Sequence, residues 1–111
     1  MKFELHQFSK RFPPLECAVI VLHDPPRAQR GTGAAIVLPN GRAWLGVAIC
    51  ADGDTFVKAT GRQKAIGRAF RSYMKRGESS AYDPADEQLF SRIIGRLKVE
   101  LLDRRKQLET R

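Results

Sequence analysis

Residues 34–50, AAIVLPNGRAWLGVAIC, decide how the chain folds. Two apolar runs of strand length, 34–38 and 43–50, flank a short Pro-Asn-Gly-Arg segment. The Asn-Gly pair tolerates the positive φ that a tight hairpin requires. The pattern therefore predicts two antiparallel strands joined by a turn at residues 39–42.

Further strands are predicted before this hairpin. Residues 2–8 alternate weakly between apolar and polar side chains, which is typical of a short, half-buried strand. Residues 17–22 form a continuous apolar run and predict a second strand. The segment 23–33 contains two prolines and two glycines without periodicity, and it is predicted to be a loop.

Two helices are predicted after the hairpin. The first covers about 54–76, with Asp52 and Asp54 as candidate N-cap residues and Gly77 just beyond its end. Its apolar residues fall in one arc of about 140° at 100° per residue. These residues, which should face the sheet, are Ile66, Ala69, Phe70, Tyr73 and Met74.

The second helix is predicted over about 84–108. Asp83 is its candidate N-cap and Pro84 its first residue. About 25 residues would span roughly 37 Å, which exceeds a domain of this size. Its end should therefore project or pack on a second copy, and we favour a homodimer through this C-terminal helix.

These elements predict an α+β fold in one domain over residues 1–111. The order is β-β-β-β-α-α, an antiparallel sheet of three to four strands followed by two helices on one of its faces. No apolar run approaches the roughly 18 residues of a membrane span, and the N-terminus does not resemble a signal peptide. We expect a cytoplasmic protein with no membrane partner.

Composition also limits the chemistry. Cys17 and Cys50 lie inside apolar strand-like runs and are expected to be free and buried. There is no CxxC motif, no Cys/His cluster and no marked Ser-His-Asp or Cys-His pairing. We therefore assign no catalytic residue, no metal site and no cofactor.

Positive charge is concentrated in one segment. Residues 54–77 contain seven Lys or Arg residues and one acid, so they carry +6 of the chain's formal net charge of +8. A local field of one sign attracts anions. Nucleic acid, single- or double-stranded, is the leading candidate partner, and an acidic protein surface is the alternative.

The candidate phosphate contacts lie mainly on the first helix. Four of its basic residues share an arc of about 60°, roughly opposite the apolar arc, and no acid stands at i±4 to support them. The full set is Arg62, Lys64, Arg68, Arg71 and Lys75, with Arg27 and Arg30 assisting from the preceding loop. Trp44 and Tyr82 are aromatic residues that could stack on bases. Nothing in the pattern reads base edges, so binding should depend on salt more than on sequence.

The pair Gly-Arg occurs twice in this helix, at 61–62 and at 67–68. A glycine inside a helix costs about 1 kcal/mol relative to alanine, so two of them require an explanation. One is close packing of the helix on the sheet. The other is that the missing side chains admit a phosphate, with the neighbouring arginines as clamps.

About 25 residues resemble a known pattern. A strand ending Gly-Val-Ala-Ile-Cys (46–50) precedes Asp-x-Phe-x-Lys (54–58), Gly-Arg (61–62) and Gly-Arg-Ala (67–69). This combination resembles small uncharacterised proteins of phages and mobile elements. The resemblance implies a context and no activity.

Two other functions remain open. A protein-binding module, such as an inhibitor of a host protein complex, could use the same basic helix. A nuclease is the third reading, because the strands with Asp24 and Gly31-Thr-Gly33 are similar in outline to a ribonuclease H-like domain. Such enzymes hold two metal ions with several carboxylates, whereas Gln63 and Lys64 occupy the helix position where that family places a glutamate.

Overall fold

The computed structural model describes residues 1–23, 31–50 and 57–109, and its centre is one antiparallel sheet of five strands. The strands follow one another across the sheet in chain order. The elements are β1 (Glu4–His6), β2 (Leu15–His23), β3 (Gly31–Val37), β4 (Arg42–Ile49), α1 (Lys58–Met74), β5 (Ser80–Ala81) and α2 (Leu89–Glu109). The α+β class is confirmed. The predicted count of three to four strands is wrong, because the segment between the helices adds the short β5 to the edge of β4.

The predicted hairpin between β3 and β4 is confirmed, with a different turn. Its loop has three residues: the N–H of Gly41 donates to the carbonyl of Leu38, and the N–H of Leu38 to the carbonyl of Arg42. Within this loop only Gly41 has a positive φ, of 87°. This is the arrangement of a type I turn followed by a left-handed residue. Asn40 does not have a positive φ. Its Oδ1 accepts a hydrogen bond from the N–H of Arg42 at 3.0 Å.

The two helices cover opposite faces of the sheet, so the prediction that both lie on one face is wrong. Ala34 and Ala48 pack with Ala65 of α1, whereas Ala35 and its neighbours on β2 and β4 pack with Ile93 of α2. Successive residues of a strand point to opposite faces, and no Cα atom of α1 lies within 8 Å of a Cα atom of α2. The protein is therefore a three-layer α/β/α sandwich.

β3 is the central strand, and all seven of its residues are buried. Its sequence, GTGAAIV, is mostly small because both of its faces are covered. A Cβ on Gly33 would lie 3.2 Å from a methyl carbon of Leu97 in α2. Residues 31–33 are thus part of the strand, and their assignment to a loop is wrong. His23, at the other end of the predicted loop, is likewise the last residue of β2, and residues 24–30 lie outside the described residues.

Gly46 of β4 allows α1 to lie directly on the sheet. A Cβ at this position would come closer than 3.0 Å to the carbonyl oxygen of Ala65 and to the amide nitrogen of Ala69. Both alanines are fully buried. Because the neighbouring atoms belong to the backbone of α1, no side-chain rotation could relieve the clash. The missing side chain at Gly46 therefore allows this short distance between α1 and β4.

The two ends of α1 differ from the prediction. The helix begins at Lys58 with Val57 as an N-cap that makes no side-chain capping bond, and Asp52 and Asp54 lie outside the described residues. At the C-terminus the N–H of Gly77 donates to the carbonyl of Ser72, and the N–H of Arg76 to that of Tyr73. This pair of bonds is a Schellman motif. Arg76, with φ 52°, occupies the left-handed position rather than Gly77.

We expect Arg76→Gly to stabilise the protein. A residue with a side chain in the left-handed region costs roughly 1–2 kcal/mol, and glycine avoids most of this cost while adding unfolded-state entropy. The free energy of unfolding should rise by about 0.5–1 kcal/mol. Urea unfolding followed by circular dichroism measures it. Lys75→Gly is the matched control, because Lys75 has φ −83° and should gain nothing.

α2 begins at Leu89, so the prediction that Pro84 opens this helix is wrong. Asp83 accepts the N–H of Ala85, and Asp86 accepts the N–H of Gln88, each at 2.9 Å. These two local turns occupy the segment where helix was predicted, since Asp side chains compete for nearby backbone donors. The 21 residues of α2 span about 32 Å, and the helix packs on the sheet at least as far as the buried Leu101.

Cys17 and Cys50, both among the described residues, are not joined in a disulfide, as predicted. Cys17 is fully buried in the α1-side core, and burial raises the pKa of its thiol to about 11. Cys50 is only half-buried. No helix in the described ranges is both long and apolar enough to cross a membrane.

Candidate functional site

The outer face of α1 carries positive charge without compensating negative charge. The helix has five basic residues and no acid. Lys64 and Arg71, together with Lys75 just past the helix, are exposed and share one side of it. We call these three residues the basic strip. None of them pairs with an acid among residues 1–23, 31–50 and 57–109.

Arg68 leaves this strip, although its position on the helix lies within the same arc. Its Nη1 donates to the carbonyl oxygen of Val47 at 2.6 Å. β5 pairs only with Arg42 and Ala43, so the outer edge of β4 near Val47 has no strand partner in the described part of the chain. The guanidinium therefore satisfies a backbone acceptor at the open edge of the sheet.

Arg62 lies on another side of α1 from the basic strip. Burial lowers the pKa of the His23 imidazole at the end of β2, and the nearby charges of Lys58 and Arg62 lower it further. The Nδ1 of His23 also lies within hydrogen-bond distance, 2.9 Å, of Oγ1 of the buried Thr32. Arg27 and Arg30 lie outside the described residues. The predicted phosphate contacts on α1 therefore do not form one surface: the basic strip, Arg68 at the edge of β4 and Arg62 lie in three different places.

Gly67 has no packing role in the structure. A Cβ built on it would meet no heavy atom within 4 Å, so the explanation by close packing on the sheet is wrong for this residue. Its cost of about 1 kcal/mol relative to alanine is not offset by any contact with the sheet. The close-approach glycine is Gly46, on the strand beneath the helix.

A groove of about 500 Å³ lies between α1 and the segment that follows β1. Its lining combines half-buried apolar side chains with exposed polar ones. The half-buried apolar members are Phe8, Ile66 and Phe70, the exposed polar ones are Gln7, Arg62 and Gln63, and Ala59 and Gly67 complete the lining. We call this feature the α1 groove.

Aromatic side chains are concentrated next to the α1 groove. The rings of Phe8 and Phe70 stack with their centroids 4.9 Å apart, and Phe12 meets Phe70 edge-on at 5.8 Å. The two aromatic residues singled out from the sequence lie elsewhere. Trp44 is buried, and its Nε1 donates to the carbonyl of Gly77 at 3.2 Å. Tyr82 is half-buried and packs against the α2-side core.

Carboxylates give little support for a metal site in the described residues. Among them, no group of three or more His, Cys, Asp or Glu side chains could hold a metal ion. Asp24, on which the nuclease interpretation depended, lies outside the described ranges, as do Asp52 and Asp54. The nuclease reading therefore gains no observation in its favour.

The surface of α2 bears on the predicted homodimer. Its exposed large apolar residues are Phe90, Val99 and Leu102. At 100° per residue they are spread over about 180° of the helix surface, whereas a helix-to-helix seam needs a narrow apolar stripe. The homodimer stays a prediction.

The site thus offers two kinds of contact on one helix. The basic strip presents cationic N–H donors to solvent, and the α1 groove presents an apolar floor with amide and guanidinium groups at its rim. The first suits phosphates, and the second suits a planar ring with polar edges. Comparison of the chain with protein-family models, curated proteins and solved structures finds no match.

Proposed function

We propose that the protein binds nucleic acid through phosphate contacts along α1, with little dependence on base sequence. The observation that carries this proposal is the basic strip. Lys64, Arg71 and Lys75 are exposed on a helix that contains no acid, and none of them is paired with a carboxylate in the described residues.

The dimensions of the basic strip match a nucleic-acid backbone. From Lys64 to Lys75 the helix rises about 16 Å at 1.5 Å per residue. Successive phosphates on one strand of a duplex are about 3.4 Å apart along the axis, so this length faces about five of them. Lysine and arginine contact phosphate oxygens without reading the bases. Weak sequence dependence follows from that chemistry.

The contact of Gly46 with α1 supports the same function. Because the helix lies directly on the sheet, its cations are held at fixed spacing rather than on a mobile segment. A preorganised surface loses less conformational entropy when it binds. Only the side chains themselves need to become ordered.

We expect binding to weaken steeply with salt. Fluorescence anisotropy with a labelled 15-mer measures the dissociation constant at several salt concentrations. Three phosphate contacts predict a slope of log K against log salt of about −2 for a single strand, or about a 20-fold loss from about 50 to about 200 mM. A slope near zero, or no binding at about 50 mM, would contradict the proposal and favour an acidic protein partner.

A further inference from the structure

We infer that the α1 groove takes one unpaired base of a single-stranded nucleic acid whose phosphates lie on the basic strip. This inference rests on the proposed function and narrows it to single strands. Two features support it: the lining of the groove, and the position of Gly67 between the groove and the basic strip.

The lining of the α1 groove fits a nucleobase. Phe8, Ile66 and Phe70 form a half-buried apolar floor, on which a flat ring can exclude water. Gln7, Gln63 and Arg62 stand exposed around it. Amides both donate and accept hydrogen bonds, and a guanidinium donates, so these groups can satisfy the edge of any base without selecting one. The volume of about 500 Å³ lies within the range of small-molecule sites.

Gly67 connects the groove to the basic strip. On a helix surface, residues three and four apart are neighbours, with Cβ atoms about 5–6 Å apart. Lys64 and Arg71 are therefore the neighbours of Gly67 on one side. Gln63 and Phe70 are its neighbours on the other. A side chain at this position would stand between the two features, and its absence leaves an open passage over the helix.

This geometry gives a reason for an otherwise unexplained glycine. A sugar-phosphate backbone that crosses the helix at Gly67 lies next to the cations of the basic strip on one side and next to the α1 groove on the other. The phosphate can then contact Lys64 and Arg71 while its base enters the groove. In a duplex the bases are stacked and paired, so the same base would first have to be extracted at an energetic cost.

Three probes of equal length test the inference in the same anisotropy assay. They are a labelled oligothymidylate, an abasic strand with the same phosphates and no bases, and a duplex. We expect oligothymidylate to bind roughly tenfold or more tightly than the abasic strand, because base contacts on aromatic and apolar groups contribute at this level. Equal affinity for these two strands, or a duplex bound as tightly as oligothymidylate, overturns the inference.

Gly67→Leu should remove that preference by filling the passage. Its affinity for oligothymidylate should fall roughly tenfold, to near that for the abasic strand. Gly95→Leu is the matched control, because Gly95 also lies inside a helix and a Cβ there would meet nothing within 4 Å. The control should keep the affinity of the parent protein. An unchanged preference in Gly67→Leu contradicts the inference.

A second variant keeps the test independent of the glycine. Gln7→Ala combined with Gln63→Ala truncates two exposed side chains and should fold normally, which a thermal melt checks. We expect it to bind the abasic strand as the parent does and oligothymidylate several-fold more weakly. If the parent protein and both variants bind all three probes with equal affinity, and that affinity falls with salt, the groove is not a base site and the proposed function stands. If none of the probes is bound, the proposed function fails as well.

Discussion

Replacing Gly46 with alanine is expected to lower the free energy of unfolding by about 3 kcal/mol or more, enough to unfold a marginal domain. The added methyl group would overlap the backbone of α1 at Ala65 and Ala69. Only a displacement of the whole helix could relieve this overlap, and that would open the core between α1 and β4. Urea unfolding monitored by circular dichroism measures the loss.

The matched control for this change is Gly95→Ala. Gly95 lies inside α2 with open space around it, so alanine there should raise the free energy of unfolding by up to about 1 kcal/mol. The two substitutions are chemically identical and are expected to act in opposite directions. A Gly46→Ala protein as stable as its parent would mean that α1 does not rest on β4 in the described manner.

Reversing charge on the basic strip should remove nucleic-acid binding. Lys64→Glu with Arg71→Glu replaces two exposed cations, each worth about 1.5–3 kcal/mol as a charged hydrogen-bond donor to phosphate. The affinity for a single-stranded oligonucleotide should fall about 100-fold or more, and the salt slope should decrease in size by about 1.4, which corresponds to two contacts at about 0.7 each. Anisotropy at low salt measures both quantities.

A control with the same change in net charge separates local contact from overall attraction. Lys98→Glu with Lys106→Glu alters two exposed lysines of α2, on the other face of the sheet. Each double variant replaces one basic residue in the last turn of a helix, Arg71 or Lys106. The loss of favourable interaction with the helix dipole is therefore comparable in the two variants. If both double variants lose the same affinity, the strip is not the contact. Arg68 is left unchanged because it also binds the carbonyl of Val47.

Local signals in the sequence predicted the elements better than their arrangement. The hairpin between β3 and β4 could be predicted because its turn and its apolar runs are contiguous in the chain. The two-sided burial of β3 was missed because Gly31 and Gly33 were interpreted as loop residues. In a strand covered on both faces, small residues are required by the partners above and below, and a local pattern does not show those partners.

The site was predicted in part for the same reason. A helical projection placed Lys64, Arg71 and Lys75 together because their positions follow from the period of the helix. It could not exclude Arg68, whose long side chain turns to the edge of β4. The α1 groove was missed altogether, because Gln7 and Phe8 reach Gln63 and Phe70 only through the fold. The glycines at 61 and 67 were the available signal, and Gly67 does lie beside that groove.

The separation of the two helices by the sheet gives the molecule a polarity. Residues 58–76 hold seven basic groups and no acidic one, whereas residues 78–109 hold six basic and seven acidic groups. The electric field of a polyanion should therefore orient the protein with its α1 layer towards the polyanion as the two approach. We expect association to be faster than for a protein with the same charge distributed uniformly. In the proposed complex the nearly neutral layer would face outwards, so protein molecules bound side by side along one nucleic acid would repel each other little.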